Sequence, residues 1–97
     1  MSTAKLIMHR GSDVDFKLVW PSTAGPLDLT GYSVFAFEPS TELEDYLELE
    51  ISDAEEGEIT GRIEWSDSFK NGEMTFRVQI VNGTQNVSTP KIYVKVL

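Results

Sequence analysis

Cysteine is absent from this 97-residue sequence, which removes disulfide staples, thiolate nucleophiles and Cys-based zinc sites together. Histidine occurs once, as His9. A metal centre needs three or four convergent donors, so one imidazole near Asp13 and Asp15 reads as a surface or edge-strand residue. Long apolar runs are missing as well. The opening MSTAKLIMHR contains only the run Leu6, Ile7, Met8, too short for the hydrophobic region of a signal peptide, and nothing approaches a membrane span. The expectation is a soluble chain made in the cytoplasm, with no membrane insertion.

Positive charge is missing from the middle. Residues 18–61 contain no Lys or Arg but eleven carboxylates, while the remainder holds all eight Lys and Arg and five carboxylates. The net charge of −8 is therefore concentrated, with Glu42, Glu44, Asp45, Glu48 and Glu50 forming an acidic face. Such a face repels phosphates, so nucleic acid is not expected as a partner. Its plain reading is a solvated surface; its sharper reading is pairing with a basic face of a neighbouring subunit, or mimicry of an acidic ligand.

Catalytic patterns are lacking too. There is no G-x-S-x-G elbow, P-loop or dinucleotide fingerprint. A glycosidase dyad needs two carboxyls set across a cleft, and Glu48 and Glu50 alternate outward on one strand instead. In Asp53-Ala-Glu-Glu-Gly-Glu58 the glycine falls one residue short of the calcium-loop frame, so the segment reads as a tight acidic turn. No enzyme activity and no cofactor are expected.

What the chain does contain is period-two alternation, from end to end, with no helical stripe. Seven strands are expected at about residues 4–9, 14–20, 32–38, 47–51, 59–65, 74–80 and 87–96. Pro and Gly mark a loop at 21–26, Pro39 closes the third strand, and Asn82-Gly83 signals a two-residue hairpin. Pro90 argues for an edge or a bulge near the start of the last strand. Ten aromatic residues supply bulk for one core. The reading is a single all-β domain over residues 1–97, a seven-stranded immunoglobulin-like β-sandwich, with a small β-barrel as the alternative. The first, second, fifth and fourth strands would share one sheet and the third, sixth and seventh the other, with Trp20 and Trp65 at the core's ends.

The third strand poses a problem. Successive side chains point to opposite faces, so it cannot bury both Val34/Ala36 and Phe35/Phe37. If the aromatic pair looks outward, it lies beside Arg77 and Gln79 of the sixth strand and near Tyr93 of the seventh. Phe35, Phe37, Arg77 and Tyr93 are then candidate contacts, because a soluble chain covers an exposed aromatic patch with a partner.

One stretch resembles something nameable. The order R-G-S-D, a strand ending Leu18-Val19-Trp20, a Pro/Gly turn, then Pro26-Leu-Asp-Leu-Thr-Gly-Tyr32 is similar to β-sandwich domains of tailed-phage virion proteins. These include the N-terminal domain of upper baseplate proteins and the small sandwiches of tail fibres and head fibres. The segment from Gly57 to Trp65, a Ser-Asp-Ser-Phe turn and a strand beginning at Asn71-Gly72 fit the same pattern. The resemblance implies a bacteriophage structural protein in the virion, usually a homo-oligomer, that docks other virion proteins as a tail, baseplate or capsid decoration component. Family members often carry polar or basic residues at the positions of Phe35 and Phe37, which favours the outward register. The chain stops at Leu97 without a fibre segment, so the resemblance implies a stand-alone accessory protein or a fragment. Tyr46 and Tyr93 are the candidates for a second reading, a carbohydrate- or host-surface-binding module.

Overall fold

The computed structural model describes residues 4–22, 25–69 and 72–97. Their order is β1 (Ala4–Met8), β2 (Val14–Val19), β3 (Pro21–Ser22), β4 (Gly25–Pro26), β5 (Ser33–Phe37), β6 (Leu47–Asp53), β7 (Glu58–Ile63), β8 (Gly72–Asn82), β9 (Gln85–Ser88) and β10 (Ile92–Val96). No helix occurs among the described residues. β2, β7 and β6 form a three-stranded antiparallel sheet, and β1, β10, β8 and β5 follow one another in a second sheet, with β9 also on β8. The architecture is an open β-sandwich rather than a closed barrel.

The alternation that marked each strand also sorts its faces. Met74, Phe76, Val78 and Ile80 of β8 and Ile92, Val94 and Val96 of β10 are buried, as are Ile59 and Ile63 of β7. Leu47, Leu49 and Ile51 of β6 and Val14, Phe16 and Leu18 of β2 pack against that cluster. The ring of Phe16 meets Phe76 across the sheets at 5.6 Å. It lies directly over Gly61, where a side chain would overlap the ring.

Trp20 and Trp65 take opposite ends of the β2–β7 pair. The Trp20 amide donates to the carbonyl of Gly57 at 2.8 Å, and the Trp65 amide donates to the Asp13 carboxylate at 2.7 Å. Phe69 closes the second end, edge-on to both Trp65 and Tyr46.

Four local expectations change. The first strand leaves the second and pairs in parallel with β10, Leu6 opposite Val94 and Met8 opposite Val96. A turn in which the Ser12 amide donates to His9 carbonyl, with Gly11 at φ 80°, carries the chain between the sheets. An apolar face of Leu6 and Met8 suits either sheet, so alternation alone did not choose.

The loop at 21–26 holds a two-stranded ribbon, Pro21 opposite Pro26 and Ser22 opposite Gly25. The hairpin at Asn82-Gly83 forms one residue later, since Asn82 pairs with Gln85 and the central residues are Gly83 and Thr84. Only Gly83 of the two has positive φ, so the glycine takes the first central position, where a II′-type turn requires it.

The last strand is split into β9 and β10. At the break, Thr89 is buried, accepts the Val78 amide on Oγ1 at 3.0 Å and donates its own amide to Val78 carbonyl at 2.9 Å. Pro90 then sits exposed where no ladder donor is needed. The turn expected at Asn71-Gly72 falls partly outside the described residues.

Candidate functional site

The register of β5 is fixed by β8. Val34 is opposite Ile80 and Ala36 opposite Val78, both core residues, while Phe35 is opposite Gln79 and Phe37 opposite Arg77. Because directly opposed residues share a face, Val34 and Ala36 lie on the inner face and the two phenylalanines on the outer; Val34 packs against the core, while Ala36, at the sheet's edge, is exposed. Phe35 is 52% exposed. β5 is not central but stands at the end of its sheet, so the aromatic face borders an open strand edge.

Arg77 ties this face together. Its Nε donates to the Thr89 carbonyl at 2.8 Å and its Nη1 donates to the Glu38 carboxylate at 3.0 Å. Its guanidinium lies 5.2 Å from the centre of the Phe37 ring, within the range of a cation–π contact. Phe37 is accordingly half-buried and Phe35 is not. Tyr93 is on the same outward face, between Thr75 of β8 and Lys5 of β1. All four candidate contacts therefore share one face, but Arg77 and Phe37 are engaged with each other.

Glu38 was not anticipated. Among the described residues it is the non-glycine one with positive φ, 50°, and no local signal pointed to it, since a residue before proline favours the extended region instead. The turn it makes ends β5 and sends Ser40 beside Thr75, whose amide donates to Ser40 Oγ at 3.0 Å.

The acidic residues lie elsewhere. Glu48 and Glu50 project to solvent from β6, and Glu42, Glu44 and Asp45 are exposed on the segment before it. They belong to the side of the three-stranded sheet. There Asp13 and Asp15 bracket Arg62, at 2.7 and 3.4 Å, and Lys17 lies 3.7 Å from Glu58. The Trp65 amide, and after it the Arg62 guanidinium, hold the Asp13 carboxyl below the usual carboxylate range; Asp15 and Asp13 in turn raise Arg62. Residues 54–57, directly after β6, are a turn, with the Gly57 amide donating to Ala54 carbonyl. Tyr46 is not displayed for a ligand, since it packs edge-on against Phe69 at 5.5 Å.

The Asp28-Leu-Thr-Gly-Tyr32 stretch builds the approach to β5. Thr30 donates both its amide and its hydroxyl to Asp28 Oδ1, at 2.9 and 2.6 Å, and these bonds hold the Asp28 carboxyl low. Leu29 is buried between the sheets. Tyr32 donates its hydroxyl to Gln85 Oε1 of β9 at 3.2 Å, which pins the start of β5 at the hairpin.

No family model matches the chain, and no curated protein matches it. Among solved structures it is similar to part of an endo-fucoidan hydrolase of glycoside hydrolase family 107, with a TM-score of 0.60 and 15% identity. The likeness covers 98% of this chain and 13% of that one, so the chain spans a small part of that protein's length. What the two share is the fold. No helix among the described residues is long and apolar enough to cross a membrane.

Proposed function

We propose that the chain is a non-catalytic assembly domain of a tailed-phage particle, docking other virion proteins through the outward face of its five-stranded sheet. The observation that carries this reading is Phe35, half-exposed at the centre of a strand that has no charged residue on a chain of net charge −8. Exposed aromatic surface of this kind gains most when a partner covers it. The resemblance of residues 10–38 to virion sandwich domains supplies the setting. The acidic outer side of the other sheet faces away and keeps the particle-bound domain solvated.

Counting peptides of the chain in gradient-purified particles tests the proposal. A fixed copy number per particle is expected, and absence of the chain from intact particles would overturn it.

A second reading, a carbohydrate-binding module, draws on the occurrence of this fold within an endo-fucoidan hydrolase. Phe35 and Tyr93 would supply the stacking surfaces, Tyr46 being packed away. Glycan-array binding that is lost in Phe35→Ser, with no copies on particles, would favour this second reading.

A further inference from the structure

The hydrogen-bonding groups on the open edge of β5 can be assigned. Val78 directs its amide and carbonyl to Thr89, on the β9–β10 side of β8. Backbone groups of successive strand residues point to alternate sides, so Arg77, Gln79 and Val81 direct theirs toward β5. Thr75 agrees with this parity, since its amide and carbonyl both meet Ser40 on the β5 side. Ser33, Phe35 and Phe37 are therefore the residues of β5 bonded to β8. The amides and carbonyls of Val34 and Ala36 point away from the sheet and have no partner among the described residues.

These four groups are symmetric about Phe35. An antiparallel second copy of β5, related by a two-fold axis at Phe35, sets Val34 opposite the second copy's Ala36, and Ala36 opposite its Val34. Every free amide then meets a free carbonyl. The two Phe35 residues form the non-hydrogen-bonded pair, the closer kind, with Cα atoms about 4.5 Å apart. Their outward rings meet as a cross-strand aromatic pair.

Charge permits this approach and discourages others. Of the strands with a single bonded neighbour in the two sheets, β1 carries Lys5, β2 carries Asp15 and Lys17, and β6 carries Glu48, Glu50 and Asp53, while β5 and the four-residue β9 carry none. Of these two, β5 is the longer and the one with an exposed aromatic. Beside it Arg77 is neutralised by Glu38. Long-lived monomers protect such an edge with charge, proline or a bulge inside the strand; residues 33–37 have none of these.

We infer that the β5 edge pairs with a second copy of this chain, joining two five-stranded sheets into one continuous sheet. The inference deepens the assembly reading and rests on it: a second copy takes the edge beside the aromatic face, and the outward face of the joined sheet is left to the other virion proteins.

The absence of native cysteine allows a direct test. Phe35→Cys should form a covalent dimer under mild oxidation, because the opposed Cα atoms fall within the roughly 4.4–6.8 Å that a disulfide spans. Ser33→Cys should not, since two Ser33 residues would stand about 13 Å apart along the pair. Ala36→Pro removes only an amide that points out of the sheet. It should leave the domain folded by circular dichroism and shift the light-scattering mass from dimer to monomer.

Equal cross-linking of both cysteine variants, or a wild-type monomer at every concentration, would overturn the pairing. So would an edge that takes up an extended segment of another virion protein while the chain stays monomeric. A monomer that still co-sediments with particles sinks the pairing and leaves the docking reading standing. A dimer with no place on particles does the reverse.

Discussion

Arg77 holds its guanidinium 5.2 Å from the ring centre of Phe37, so two residues that the sequence offers as separate contacts form one internal unit. The ion pair to Glu38 and the bond to Thr89 carbonyl complete it. Phe35, one step along the strand and on the same face, has no such cover.

Arg77→Ala should therefore lower stability rather than only weaken docking. The cation–π contact and the charged hydrogen bonds on a partly exposed side chain together suggest a loss of about 1–2 kcal/mol. Urea unfolding checks it, and Arg77→Lys should recover only part, because an ammonium cannot reach Glu38 and Thr89 in one planar fork.

Gly61 should tolerate no side chain while Phe16 is present. Gly61→Ala should cost about 1–3 kcal/mol by overpacking. Phe16→Leu in the same chain should relieve much of that cost, and a double-mutant cycle reads the coupling. Strict additivity of the two changes would show that the ring is free to move aside.

Acid should weaken the turn before β5. The Thr30 hydroxyl and amide hold the Asp28 carboxyl below its unfolded value, about 3.9. Its contribution is therefore present above that value and is lost as pH falls through the lower, folded one. Asp28→Asn keeps an acceptor oxygen but not the charge. It should be less stable than wild type at neutral pH, and the gap should narrow in acid, at a pH below the unfolded value of about 3.9. Paired urea titrations at the two pH values measure it.

Much of the fold was legible because alternation repeats in nearly every strand. Leu47, Leu49 and Ile51 against Glu48 and Glu50, or Met74 through Ile80, assign their own faces. β5 could not do so, because both of its faces are apolar; only pairing with β8, whose faces are unambiguous, settled that Phe35 looks out. Leu43 is fully buried within the acidic segment before β6, and one leucine has no period to reveal it. Asp13 and Trp65 meet across 52 residues, a contact that no local spacing encodes. The parallel placement of β1 depends on β10, at the far end of the chain. Of the candidate site, the four residues and their common face were readable; the internal engagement of Arg77 with Phe37 and Glu38 was not.

The docking role of Phe35 is most directly tested with particles that lack this chain. Purified wild-type protein should co-sediment with them and saturate at a fixed number of copies. Phe35→Arg, folded by the same spectroscopic criteria, should fail to bind, while Glu48→Gln/Glu50→Gln should bind as wild type does. Equal binding by Phe35→Arg, or loss of binding only when the acidic face is neutralised, would contradict the account.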